Sequence, residues 1–539
     1  MTDIEIPLGK RTAKYRFFEM LPAFMSYGTL LLPIILSAIN PLYGAIFVAA
    51  FIIWWFVKAI GMAFRTSQGY RRMQEARNIN WRHRINDLTT PDSAIEHYQH
   101  NPQGGWRRRR HYENLLRVKQ IPAEFLDPHK VYSAVIIPFV NEEREVLEPT
   151  LKAVLDSNYD TKANLIVILA DEARIKSGHE LGQRLVTKYK DQCFYMAAVS
   201  HPEGIPNELI GKGANITFAG RFLQKFIAKK GIDPENVLVT TLDSDNRPHP
   251  EYLACAAYEY IVDPKRNHRA YQPVSLYLNN IWDAPAPMRV LATGNSFWAI
   301  VNSVRPHMLR NFSSHAQGLA SLIATDFWSV RTIVEDGHQY WRSYFTFDGD
   351  YEVTPIYTPI YQDAVLETTY AKTLRAQFMQ LRRWAYGASD VAYVADKGFR
   401  KDRTVPLFSL ISRFWRLLES FFSWAVTPII ITFGAWIPLF FSAEAQRSIV
   451  AHELPQVASK LQFVATVGLF ITIFLAFKML PPRPTRYRRH RTLFMVAQWL
   501  LMPVTSILYG SAAAFNSQTR LLFGKYLEKF DLTVKGIKK

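Results

Sequence analysis

Cysteine is nearly absent from this 539-residue chain: only Cys193 and Cys255 occur. That excludes a disulfide framework and a cysteine-based zinc site, and it suits a reducing, cytoplasm-facing region. Charge is absent too where it matters: no Asp, Glu, Lys or Arg lies between Pro22 and Val57. One Lys or Arg at mid-bilayer costs about 3 kcal/mol on insertion scales, so this gap reads as membrane-spanning sequence. A cleavable signal peptide is missing from the opening "MTDIEIPLGKRTAKYRFFEM", since the first apolar run is too long and has no small-residue cleavage pattern.

What is abundant fits a membrane protein with wet domains. Hydrophobic residues make up 49% and aromatics 14%, and 64 Lys+Arg outweigh 46 Asp+Glu for a net charge of +18. The Pro22–Val57 run breaks at "INP" (39–41), giving two expected spans, 22–40 and 42–64, with Lys58 snorkelling near the inner end. The basic stretches "YRRMQEARNINWRHR" and "WRRRRH" place the following region in the cytoplasm. They read as a face touching anionic lipid, with no nucleic-acid partner, because no nucleic-acid fold signature accompanies them. Segments 1–65 and 66–130 thus form a transmembrane hairpin and a basic juxtamembrane region.

Between 131 and 400 the pattern becomes α/β. "VYSAVIIPFV", "LIVILADEA", "CFYMAAVS" and "NVLVTTLDSD" read as strands, and "EREVLEPTLKAVLD", "GHELGQRLVTKY" and "NITFAGRFLQKFIAK" as the helices between them. Continuous Val/Ile/Leu runs imply a mostly parallel sheet covered on both faces. After it come an interfacial helix at 401–420, a transmembrane region at 421–519 with spans near 421–442 and 461–480, and a basic tail at 520–539. The stretch Thr492–Thr519 reads as a tilted span, a re-entrant segment or a broken hairpin, and "RPTRYRRHR" (483–491) as an inside loop.

Ligands of open α/β sheets bind beyond the carboxyl ends of strands. "NVLVTTLDSDNRPHP" (236–250) puts Asp243 and Asp245 there, and residues i and i+2 of an extended chain share one side. Two like charges so placed call for a cation, and Mg2+ or Mn2+ shared with a diphosphate supplies it. An exposed turn is the bland alternative for a lone D-x-D. Around it stand Asp171 at the end of "VILADEA", Lys212 and Asn215 in the small-residue loop "IGKGANI", and Glu335 and Asp336 in "TIVEDGHQYW". In "QLRRW", Gln380, Arg383 and Trp384 share one helix face. The "IGKGANI" loop is no Walker A, as glycine spacing and a hydroxyl after Lys212 are both wrong.

In this order the motifs D-x-D, E-D and Q-x-x-R-W resemble the membrane-integrated family 2 glycosyltransferases, of the cellulose, chitin and hyaluronan synthase-like branch. The resemblance spans roughly 131–400 plus the flanking membrane segments. It implies a GT-A-like cytosolic domain inserted between transmembrane segments of a multi-pass inner-membrane (plasma-membrane) protein. It further implies that Pro138, Asn141, Glu142 and Asp171 hold the uridine end of a nucleotide sugar, and that Lys212 and Asp243 lie beside the diphosphate. Asp245 binds metal, with Asp243 beside it, and Asp336 is the general base. Gln380, Arg383 and Trp384 frame the acceptor, and "FDLTVKG" (530–536), with Phe530, Thr533 and Lys535, resembles a gating loop. "PFVNE", "LADEA" and Val334 depart from the family's commoner residues, and 294–326 does not align.

The function implied is inverting sugar transfer from a nucleotide sugar, UDP-linked in the family, to a growing polysaccharide. A single addition to a lipid acceptor is the neighbouring reading. A nucleotide-binding transporter or receptor without catalysis, and a metal-dependent phosphohydrolase, are rivals of other classes. Accessory subunits have no signature in the sequence.

Overall fold

The computed structural model describes residues 4–100, 105–441 and 449–527. The chain forms two compact units: one of Met1–Ile6, Arg71–Leu276 and Arg305–Gln362, the other of Pro7–Tyr70, Tyr277–Val304 and Asp363–Lys539.

The first unit is a mixed α/β domain built on eight strands: β1 (Tyr132–Pro138), β2 (Leu165–Glu172), β3 (Tyr195–His201), β4 (Val237–Thr241), β5 (Arg247–Pro248), β6 (Arg269–Leu276), β7 (His315–Gly318) and β8 (Glu352–Tyr361). They form one sheet in the order β3-β2-β1-β4-β7-β6-β8-β5. Pairings β1–β2, β2–β3, β1–β4 and β6–β8 are parallel, and β4–β7, β6–β7 and β5–β8 antiparallel. The sheet is therefore mostly parallel, as expected.

Burial explains the unbroken apolar runs. On one face Ala134, Ile136, Ile166, Ile168, Val237 and Val239 pack against Ile216, Ala219, Leu223 and Ile227 of the helix Lys212–Lys230. On the other, Val135, Ile137, Val167 and Leu169 are equally buried, and the helix Lys176–Tyr189 covers β2 and β3. Neither face meets water, so neither needs polar residues.

Chain direction positions the site. The crossovers run from β1 outward to β2 and β3, and then back across β1 to β4. Direction reverses between β1 and β4, and the crevice at such a reversal lies beyond the strands' carboxyl ends. Because β7 is antiparallel to β4, with His315 opposite Thr241, the residues just before β7 also reach that crevice.

The second unit supplies the apolar helices. Among the described residues, four helical stretches are long and apolar enough to cross a membrane: Ala13–Ile39, Pro41–Arg77, Leu407–Phe441 and Arg491–Leu522. The break at Asn40 falls where the sequence placed it. Three details sharpen the expectations. The stretch expected as an interfacial helix continues directly into the apolar stretch after it, Leu407–Phe433 being one uninterrupted helix. Lys58 does not snorkel alone: its Nζ lies 2.6 Å from Glu419 and over the Trp54 ring at 3.9 Å, which compensates the charge inside the bundle. The stretch from Arg491 is one helical path with 3-10 and π turns around Pro503, not a hairpin.

Candidate functional site

Strand β4 ends at Thr241, so the D-S-D segment is not extended chain. Asp243 to Asn246 form a turn, closed by the Asn246 N–H donating to the Asp243 carbonyl at 2.9 Å. The extended-chain reason for a shared side does not apply; other bonds fix the turn. Thr150 Oγ1 donates to the Ser244 carbonyl at 2.7 Å, and Ser244 Oγ donates to Glu142 Oε1 at 2.8 Å. The other oxygen of Glu142 accepts from the Val140 and Asn141 N–H groups at 2.6 and 3.1 Å. Glu142 therefore staples the loop after β1 to the turn after β4. Asn141 itself is exposed, and Pro138 is the last residue of β1.

The like-charge problem posed by the sequence has a protein answer. Lys212 Nζ lies 2.7 Å from Asp243 Oδ1 and 3.9 Å from Glu335. It is not a loop residue as expected but the first residue of the helix Lys212–Lys230, where Gly213 lets the backbone pass close to the Ser329 carbonyl. The Lys212 side chain is only 10% exposed. Burial alone would lower its pKa, but Asp243, Glu335 and Asp336 outweigh that and raise it, so it is a fixed cation. Asn215, three residues on, is buried and donates to the Ala170 carbonyl and to Glu172.

Sequence reasoning missed the residue that joins these groups. Ser313 precedes β7 in the stretch that resisted alignment. Its Oγ donates to Asp243 Oδ2 at 2.7 Å, its N–H donates to Asp336 Oδ2 at 2.5 Å, and its carbonyl accepts from Lys212 Nζ at 3.3 Å. Gln362 Nε2 also donates to its hydroxyl at 3.3 Å. Ser313 has φ of +42°, a conformation few non-glycine residues adopt. No periodicity marks such a residue; only the reversal of β7 against β4 brings it here.

Asp336 stands in the first turn of the helix Glu335–Thr346, where carboxylates meet unpaired N–H groups. Its second oxygen accepts from the Gly337 N–H at 2.7 Å. Beneath the cluster His315 accepts from Trp328 Nε1 at 3.2 Å. Burial, with Lys212 next in weight, pushes its pKa down to about 4, so it is neutral.

Asp171 continues the face of Val167 and Leu169 at the end of β2. Its carboxylate is fully enclosed, accepting from Ser200 Oγ at 2.5 Å and meeting His179 Nδ1 at 3.1 Å. Gln380, Arg383 and Trp384 lie in the second unit, on the helix Tyr370–Ala385. There Gln380 accepts from Gln377 at 3.1 Å, and the Trp384 ring lies 6.2 Å from that of Tyr277. Phe530, Thr533 and Lys535 lie outside the described residues.

Whether these side chains fit a divalent cation can be tested on the donor set. Among the described residues, no three His, Cys, Asp or Glu side chains converge as a metal cage. Asp243 and Asp245, the latter buried with 4% exposure, offer carboxylate oxygens only. That set does not fit a self-contained metal centre. It does fit Mg2+ or Mn2+ whose remaining ligands come from phosphate and water.

The fold and site thus define an α/β protein with an acid–lysine cluster at the reversal point of a mostly parallel sheet. No protein-family model matches the chain, and no curated protein matches it in sequence. Among solved structures it is similar to the mannosyltransferase PcManGT from Pyrobaculum calidifontis in complex with GDP-Man and Mn2+. That likeness covers 82% of this chain and 100% of the other at 15% identity, with a TM-score of 0.41. A likeness that loose assigns no activity here.

Proposed function

We propose that this chain is a membrane-bound glycosyltransferase that moves a sugar from a nucleoside diphosphate, UDP in the reading above, to a growing polysaccharide with inversion. The observation that carries the proposal is the Lys212–Asp243–Ser313–Asp336 constellation. One buried cation, two carboxylates in different roles and the residue tying them together meet at the sheet's reversal point. The apolar helices support a membrane setting, and the basic segments support a cytoplasmic face at the plasma membrane.

Lys212 faces the diphosphate and offsets its charge. Asp245 and Asp243 would hold Mg2+ or Mn2+, which when bound stabilises the leaving diphosphate as a Lewis acid. Asp336, aimed by the N–H groups of Ser313 and Gly337, takes the proton of the acceptor hydroxyl. That oxygen forms its bond to the anomeric carbon as the bond from that carbon to the phosphate oxygen breaks. The nucleoside diphosphate leaves with the bonding pair, and the configuration inverts. Trp384 and Arg383 offer a flat face and a cation for the acceptor sugar. Pro138, Asn141 and Glu142 shape the loop under the nucleoside.

The test is to incubate the purified protein in lipid with a panel of nucleotide sugars and Mn2+ or Mg2+. The expected result is free nucleoside diphosphate from one donor and a ladder of polymer. One sugar on an organic-phase lipid would replace the polymer reading with single addition. Inorganic phosphate release would indicate a phosphohydrolase, and binding without turnover a non-catalytic receptor.

A further inference from the structure

The donor's base must lie near the ends of β1 and β2 if its diphosphate faces Lys212, so this inference rests on the function proposed above. Asp171 is the carboxylate at that place, yet it has no exposed surface. Ser200 occupies one oxygen and His179 the other. What reaches solvent there is the imidazole, whose side chain is 43% exposed.

Its chemistry follows from its partner. An ionised carboxylate only accepts hydrogen bonds, so the proton of the neutral ring sits on Nδ1, facing Asp171. Nε2 is then an unprotonated acceptor on the open side of the ring. The ring is held in place as well as in tautomer. Gly178 permits the helix Lys176–Tyr189 to approach the Val140 carbonyl, where an added Cβ would come within 2.5 Å. Gly182 likewise lets that helix close over Phe139 and Asp171. The start of the helix that carries His179 therefore packs directly on the loop after β1.

We propose that His179, oriented by Asp171, reads the base of the donor and selects one that carries a ring N–H. Uracil at N3 and guanine at N1 offer such a donor to Nε2. Cytosine and adenine present an unprotonated ring nitrogen there, leaving two acceptors face to face. His179 is thus a specificity residue, and Asp171 a positioning residue acting through it.

The experiment uses the full purified chain with Mn2+ and measures binding of UDP, GDP, CDP and ADP by calorimetry. UDP or GDP is expected to bind about tenfold or more tightly than CDP and ADP, the value of one well-placed hydrogen bond. His179→Ala should bring the four within about threefold of one another. His179→Gln, which keeps an acceptor on a side chain of similar reach, should restore part of the preference. Equal binding of all four by the wild-type chain, or an unchanged preference in His179→Ala, overturns the inference. Metal-dependent binding that is lost in Asp245→Asn but shows no base preference defeats this inference alone. No nucleotide binding, with no effect of Asp245→Asn, defeats the transferase reading itself.

Discussion

Two histidine–aspartate pairs in the α/β unit look alike in composition and differ in what they leave open. His111 is wholly enclosed, with Nε2 3.1 Å from Asp87 and Nδ1 2.7 Å from the Tyr258 hydroxyl. At the strand ends, Asp171 is the enclosed member and His179 keeps one nitrogen outward. A polar group with all its partners inside the protein holds the fold. One whose partners lie on a single side has capacity for a ligand. By that measure His111 belongs with the scaffold and His179 with the ligand side, while the Lys212–Asp243–Asp336 cluster, bonded within the protein, reaches solvent through Asp243, whose side chain is 30% exposed.

The contrast can be broken by substitutions, the largest effect first. Asp245→Asn, at the buried carboxylate two residues from Asp243, is expected to lower metal-dependent turnover at least about a hundredfold while leaving thermal unfolding nearly unchanged. Initial rates against Mn2+ concentration check it; a variant rescued fully by more Mn2+ would place Asp245 outside the cation's shell.

Lys212→Met is expected to act on both function and fold. It leaves Asp243, Glu335 and Asp336 without their shared cation, so donor binding should fall at least about tenfold. The unit should also lose about 3 kcal/mol, the lower end for removing one partner of a buried pair. Calorimetry and denaturant unfolding of the same preparation measure the two losses.

His111→Phe should do the reverse: a stability loss of about 2 kcal/mol from unpaired buried groups, with turnover per folded molecule within about twofold of wild type. It should also change the pH response. Burial, with Arg84 contributing, holds the His111 pKa below its ordinary value although Asp87 opposes this. The unfolded chain therefore takes up that proton first as pH falls through about 6.5, and the fold loses stability on the acid side. The wild-type chain should lose stability between pH 7 and 5 more steeply than His111→Phe does. Equal slopes would remove His111 from the account of acid sensitivity.

The parts of this architecture legible in sequence are those where burial repeats. Strands β1 to β4 stand out because both faces are covered and nearly every residue is apolar. Strands β5 to β8 do not. β5 has two residues, β7 reads "HAQG", and β8 carries Pro355 and Pro359, which cannot donate to a ladder and argue against a strand. Asp243, Asp245 and Asp336 were readable as acids at element ends. Ser313 was not, since its role comes from an antiparallel strand reversing beside β4 and from a backbone conformation no side-chain pattern encodes. Lys212 was recognised as a residue and misplaced as a loop; its helix starts about one turn earlier, with Gly211 extended just before it and Gly213 taking helical backbone inside it.

The most direct measurement of the central claim is a paired one on Asp336→Asn: donor binding by calorimetry and sugar transfer by product formation, on the same sample. If Asp336 removes the acceptor's proton, binding stays within about threefold of wild type while transfer falls by about 100- to 10,000-fold. Transfer within tenfold of wild type would contradict that role and, with it, the reading of the Lys212–Asp243–Ser313–Asp336 cluster as the place where the sugar moves.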